Sequence, residues 1–155
     1  MIEPRLFYEE QQETTSDDYY TPKWIFDTLG LWYDLDVASP PGGSPFVPCS
    51  KFYTQKDDGL VSEWYGKVWM NPPYSNTAPW IDRWLQHGNG VALLPMVQGS
   101  KWQIPLWDST ASCRLLLNVK FHRPDGSLAQ PWTPLWLWAV GDDNVKALQH
   151  FGKIR

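Results

Sequence analysis

Short apolar runs separated by Pro- and Gly-rich punctuation dominate the chain, and the runs fall into two periodicities. Val91-Ala92-Leu93-Leu94-Pro95 and Pro134-Leu135-Trp136-Leu137-Trp138-Ala139-Val140 are continuously apolar, the mark of strands buried on both faces. Arg114 to Phe121 reads as a further strand. Gly66-Lys67-Val68-Trp69-Met70 predicts a short one ending at Met70, Tyr33 to Ala38 alternates toward another, and Phe52-Tyr53-Thr54 gives a brief one. Helical signals alternate with these. Thr21-Pro22 opens a helix, with Thr21 as cap, Pro22 at the first position, Trp24, Ile25, Thr28 and Leu29 facing inward, and Gly30 just past the end. Ser75-Asn76-Thr77-Ala78-Pro79 starts a second helix that runs to His87 and stops at Gly88. Ser100 to Asp108 reads as a helix interrupted at Pro105, and Asn144 to Phe151 closes the chain. The stretch from Ser39 through Pro48 contains four prolines and two glycines, which forbid the long crossover helix that normally follows a first strand.

Strands alternating with helices predict an α/β fold, a mainly parallel sheet covered on both faces. A length of 155 residues suits one domain with a sizeable core. Residues 19–155 form that domain. Residues 1–18, polar and acidic through Glu9, Glu10 and Glu13, form an arm that is mobile or ordered by a partner. No apolar run approaches the roughly 20 residues needed to span a bilayer, and Met1-Ile2-Glu3-Pro4 lacks a signal-peptide pattern, so the expectation is a cytoplasmic protein without a membrane partner. A formal charge of −4 argues against coating nucleic acid non-specifically, but leaves DNA open as a substrate reached through a local basic face. Eleven tryptophans exceed ordinary usage; most belong to core or interface, and some suit base stacking. Cys49 and Cys113 have neither metal-ligand spacing nor the density of a disulfide scaffold. Both read as reduced and structural, and no metal is expected.

The candidate chemistry sits at Asn71-Pro72-Pro73-Tyr74, directly after the short Val68-Trp69-Met70 run. Ligands of open α/β sheets gather beyond the carboxyl ends of the strands. Two prolines fix φ and remove N–H donors, so the segment is stiff and rich in acceptors. The Asn71 side-chain oxygen and the Pro72 carbonyl can converge on a planar amino group, and Tyr74 adds a flat face for stacking. A turn ending a strand is the bland alternative.

Asn71-Pro72-Pro73-Tyr74 is similar to the catalytic motif of amino-group methyltransferases that use S-adenosylmethionine. The ordered set Thr21-Pro22, Asp34-Leu35-Asp36-Val37-Ala38, Cys49, Asp57-Asp58-Gly59-Leu60, Trp64 and the tetrapeptide resembles the phage and prophage family of DNA N6-adenine methyltransferases, from about Asp18 to about Val140. The resemblance implies a Rossmann-like methyltransferase fold with an antiparallel strand near one edge, S-adenosylmethionine as cofactor and DNA as partner. Asn71, Pro72 and Tyr74 then carry catalysis. Thr21 and Pro22 border the cofactor, Asp36 accepts a hydrogen bond from it, Ala38 permits close approach, Asp58 takes the cofactor's adenine amino group, and Leu60 packs on its ring. Without the resemblance, Asp36 reads equally as a turn residue, and Asp58 as part of a solvated acidic turn.

Pro73, Ser75 and Asn76 are candidates for holding the target nucleotide, with helix capping as the alternative for the last two. Lys120, His122 and Arg123 form the densest local cationic group, beside a loop from His122 to Thr133 that is either DNA-facing or a solvated turn. No separate target-recognition domain fits, so any sequence preference comes from loops, the N-terminal arm or the second subunit of a homodimer. The glycine-rich loop of better-known methyltransferases has no good match, because Gly42 and Gly43 come late and among prolines. Cytosine-amino and protein glutamine methyltransferases carry a similar tetrapeptide. A catalytically idle nucleic-acid-binding remnant and a tryptophan-built structural protein complete the alternatives.

Overall fold

The computed structural model describes residues 19–97, 99–131 and 133–152. The N-terminal arm expected over residues 1–18 lies outside the described residues. The order of elements is helix α1 (Lys23–Leu29), strands β1 (Tyr33–Asp36), β2 (Cys49–Phe52) and β3 (Val68–Met70), helix α2 (Ala78–His87), β4 (Gly90–Pro95), α3 (Gln103–Trp107), β5 (Ser112–Leu116), β6 (Phe121–His122), β7 (Leu128–Ala129), β8 (Leu135–Val140) and α4 (Asp142–Leu148), continued by a turn of 3-10 helix over Gln149–Phe151.

Six strands form one sheet in the order β2-β1-β3-β4-β8-β5. The pairs β1/β2, β1/β3 and β3/β4 are parallel, and β8 runs antiparallel to both β4 and β5. The reversed strand is therefore next to the edge. This is the α/β architecture that alternating elements and the family resemblance imply.

Alternation along the strands builds two cores. Trp69, Val91, Leu93, Leu135 and Leu137 face α1 and α4 and bury Ile25, Phe26, Leu29, Ala147 and Leu148. Val68, Met70, Ala92, Leu94, Trp136 and Trp138 face the other way, against Trp80, Ile81 and Trp84 of α2 and Leu106 of α3. All six residues of β4 are buried, as its unbroken apolar run predicts. Strands β1, β3 and β4 point the same way, so their carboxyl ends share one edge, and the segments after Asp36, Met70 and Pro95 all emerge there.

Several boundaries differ from the sequence reading, each for a local reason. Helix α1 starts at Lys23 with Pro22 as its extended N-cap, so Thr21 lies outside it and caps nothing. Phe26 replaces Trp24 on the inner face; Trp24 is 43% exposed. The strand expected over Phe52–Thr54 is Cys49–Phe52, an edge strand that leaves Ser50, Lys51 and Phe52 exposed and so carries little alternation. The strand expected over Arg114–Phe121 spans Ser112–Leu116, because its antiparallel partner β8 begins only at Leu135, after Pro134, which has no N–H to give. Asn118, in the left-handed region with φ 60°, then turns the chain into the β6/β7 hairpin. Helix α3 covers only Gln103–Trp107 and contains Pro105. Helix α2 ends at His87, with Gly88 at φ 76°, as the sequence predicts.

Candidate active site

Asp36, the last residue of β1, and Asn71, the first after β3, lie side by side at the carboxyl edge, since Asp36 pairs with Trp69. They line one narrow recess together with Thr21 and Ala38. Four of the residues singled out in the sequence, from segments 50 positions apart, are thus brought together. The recess measures about 10 Å³, the space of a single water.

The Asp36 side chain is 2% exposed. Its Oδ1 accepts a hydrogen bond from the Ala38 backbone N–H at 3.3 Å. Burial pushes its carboxyl from 3.8 up to about 7, with the Ala38 contact pulling the other way. A buried carboxylate with so little compensation is a standing demand for donors. Ser44, on the loop after β1, also lines the recess, and its Oγ is buried without a hydrogen-bond partner among the described residues. Two oxygens short of partners make the recess receptive to a ligand group that offers hydroxyl or ammonium donors. Cys49 is held protonated nearby, its thiol pushed up to about 11 by burial and by the Asp36 charge.

At the Asn-Pro-Pro-Tyr turn, the Asn71 Nδ2 donates to Thr21 Oγ1 at 3.3 Å. Pro73's carbonyl accepts the Asn76 amide at 3.1 Å and the Thr77 hydroxyl at 3.4 Å, so it is engaged within the turn. The Tyr74 ring is half-buried against the first core, and its hydroxyl donates to the Leu93 carbonyl at 3.4 Å. Ser75 and Asn76 are exposed in the turn before α2. Thr77, not either of them, occupies the N-cap position.

Asp58 and Leu60 do not line the recess. They sit on a turn packed against the end of β1, where Gly59 passes so close that a Cβ there would lie 2.0 Å from the Val37 carbonyl. Asp58 has φ 54°, and its Oδ1 accepts the Leu60 N–H at 3.2 Å. Sequence reasoning missed what fixes this turn. Arg83 of α2 donates to the carbonyls of Gly59, Leu60 and Ser62, and its guanidinium lies 4.8 Å from the Trp64 ring centre. Nothing marks a lone Arg on a helix for that duty. Ser44 and Tyr19 were missed for the same reason, as a serine in a Pro/Gly loop and a tyrosine beside the arm.

The cationic group borders the recess through the hairpin. Tyr20 forms a two-way backbone bridge with His122, with N–H···O distances of 2.7 and 2.9 Å. Tyr19 stacks on Phe121 with ring centres 5.8 Å apart, Arg123 lies 5.7 Å over the Tyr19 ring, and the His122 ring meets Phe46 edge-on at 5.3 Å. Lys120 and Arg123 are exposed. Among the described residues, no group of His, Cys, Asp and Glu has metal-site geometry, and no helix is long and apolar enough to cross a membrane.

A mainly parallel sheet with one reversed strand beside its edge, carrying an Asn-Pro-Pro-Tyr turn next to a buried strand-end carboxylate, defines a Rossmann-like methyltransferase fold. The family model for DNA N-6-adenine-methyltransferase (Dam) matches residues 9–115, and the chain belongs to that family. It is 31% identical over 101 residues to the DNA N-6-adenine-methyltransferase of Haemophilus phage HP1 (strain HP1c1), a match covering 59% of this chain. The same match spans 57% of that relative's length.

Proposed function

We propose that this protein transfers a methyl group from S-adenosylmethionine to the exocyclic N6 amine of adenine in DNA, in the cytoplasm of a bacterial host. The observation that carries this reading is the placement of Asn71, at the carboxyl end of β3, in the same recess as the buried Asp36. The cofactor supplies an electrophilic sulfonium methyl group. Asp36 and Ser44 accept hydrogen bonds from its hydroxyl or amino groups, Ala38 allows it close to the backbone, and the backbone of Thr21 and Pro22 forms the adjoining wall. Asp58 and Leu60, held by Arg83 against the end of β1, take the adenine end.

The target amine is a poor nucleophile because its lone pair is shared with the ring. Asn71 Oδ1 and the Pro72 carbonyl each accept one of its hydrogens, which localises the lone pair on nitrogen. An amide is no ordinary base, so these residues act by position and electrostatics, and the proton leaves to water after transfer. The base is flipped out of the duplex to reach them. It stacks on Tyr74, whose ring plane is fixed by the Leu93 contact, with Pro73 beside it. Ser75 and Asn76 meet the flanking phosphate, and Lys120, His122 and Arg123 meet the DNA backbone from the hairpin. Sequence preference comes from that hairpin, the N-terminal segment or a second subunit.

The test is transfer of labelled methyl groups to mixed-sequence duplex DNA, with nucleoside analysis of the product. Label in N6-methyladenine is expected, with Asn71→Ala reducing turnover by about 10²–10³-fold while cofactor binding persists. Label in cytosine or glutamine would reassign the acceptor, and undiminished turnover in the variant would remove Asn71 from the mechanism.

A further inference from the structure

We infer that the groove beside α3 is where a second copy of this chain docks, across a two-fold axis that passes near Ile104. The inference stands apart from the chemistry proposed above. The groove measures about 850 Å³ and lies between α3, the segment after β4 and strand β8, with Met96, Ile104, Trp107 and Trp136 as its apolar walls. Met96 is 41% exposed, Ile104 59% and Trp107 58%. Large apolar side chains left to water around one groove mark an interaction surface, because covering them with a partner is favourable and leaving them exposed gains the fold nothing. Leu106 and Trp102 tie α3 to the second core, which leaves Ile104 on the side turned to solvent.

The charges around the groove say which partner fits. Lys101 and Asp108 both line it, and both are exposed with no side-chain partner among the described residues. The Ile104 N–H donates to the Lys101 carbonyl at 3.3 Å, and Trp102 and Asp108 have helical backbone angles, so the helical path runs from Lys101 to Asp108. Residues at i, i+3 and i+7 share one helix face. Lys101, Ile104 and Asp108 therefore form one stripe, with a cation at one end, an anion at the other and Ile104 near the middle. Such a stripe is complementary to itself in reverse. Two copies packed with α3 antiparallel bring Lys101 opposite Asp108 of the second copy twice, once on each side of the axis, with the apolar side chains between; this is what an isologous two-fold contact requires. Other occupants fit worse. Duplex DNA would set its phosphates against Asp108 and its backbone against apolar walls. A small ligand would lack converging polar groups, since the Gln103 amide is spent on the Val97 carbonyl.

The experiment is sedimentation equilibrium of the full chain from about 1 to 200 μM, since contacts at the small end of the size range bind in the micromolar region. A reversible monomer–dimer equilibrium is expected. Lys101→Asp and Asp108→Lys each turn both rim pairs into like charges, and each should weaken the dimer at least about tenfold. Mixed in equal amounts, the two variants form a heterodimer in which both pairs are opposite again, so association within about threefold of the unmodified protein is expected. The double variant should recover in the same way. Ile104→Asp sets two like charges near the axis and should abolish the dimer; the position is exposed, so the melting temperature should stay within about 2 °C. A chain that stays monomeric throughout, a dimer indifferent to these changes, or single variants that do not recover on mixing would each overturn the assignment. A monomer whose DNA binding drops in Ile104→Asp would give the groove to nucleic acid and overturn it equally. Methyl transfer does not enter the readout, so failure of the function proposed above would leave this result standing.

Discussion

Replacing Asp36 by Asn should make the free protein more stable and its cofactor binding worse, with both effects depending on pH. The Asp36 carboxyl is buried, accepts a backbone hydrogen bond from Ala38, and is raised from 3.8 to about 7. At about 1.4 kcal/mol per pH unit, that gap is a ceiling of about 4 kcal/mol on what ionised Asp36 withdraws from the fold. Below pH 3.8 the group is protonated in both states and nothing is lost. Between 3.8 and about 7 the unfolded chain ionises first, so stability falls as pH rises, and above 7 the full penalty persists. The amide introduced by Asp36→Asn does not titrate. Its extra N–H groups are short of partners in the recess, which offsets part of the gain, so we expect roughly 2 kcal/mol at pH 8, or about 4–8 °C in Tm for a chain of this size, and little difference near pH 4. The assay is thermal unfolding of both proteins at pH 4.5, 6 and 8, with calorimetric titration of S-adenosylmethionine. Donors on the cofactor favour the ionised carboxylate, so binding releases a proton. Affinity for the unmodified protein should rise with pH up to about 7 and level off above it, while Asp36→Asn binds at least tenfold more weakly at pH 8. A variant that melts below the parent at pH 8, or a Tm difference equal at all three pH values, would refute the reasoning.

Two further changes probe the surroundings of the cofactor. Ser44→Ala removes a buried Oγ that has no partner among the described residues, so it should leave the melting temperature unchanged or slightly raised and weaken cofactor binding about 3–10-fold, read by calorimetry. Arg83→Lys replaces a planar fork spanning three carbonyls with a point donor. It should lower stability by about 1–2 kcal/mol and speed proteolysis in the segment 57–63, measured by thermal melts and mapped cleavage.

The parts of this molecule legible in the sequence are those where burial is two-sided or where chain geometry is forced. The strands Gly90–Pro95 and Leu135–Val140 announce themselves as unbroken apolar runs. The start and stop of α2 follow from Pro79 and Gly88, and the missing crossover helix from the prolines between Ser39 and Pro48. The illegible parts depend on distant partners. Edge strand β2 has too few buried residues to show a period. The run from Arg114 to Phe121 is largely apolar, yet where it stops being a strand depends on β8 and Pro134, about 20 residues away. Thr21 illustrates the same limit at the site. Its local chemistry reads as a helix cap, and only the long-range approach of Asn71 gives the hydroxyl its actual partner.

The absent crossover helix also shapes how the site must work. In most sheets of this kind a helix following the first strand covers the cofactor face. Here that face is covered by the loop after β1, by Tyr19 to Thr21 and by the β6/β7 hairpin, which touch through Phe46 on His122, Tyr19 on Phe121 and the Tyr20–His122 bridge. A recess of about 10 Å³ is far smaller than a nucleoside-sized ligand, so the function proposed above requires the cover to part before S-adenosylmethionine reaches Asp36. The ties between the parts of this cover, a few ring contacts and two backbone hydrogen bonds, lie outside the six-stranded sheet, so parting them leaves the sheet intact and belongs among the low-energy local openings of a fold. The same hairpin carries Lys120, His122 and Arg123 and is bridged to Tyr20, so on the function proposed above DNA contacting the hairpin would bear on the cover as well.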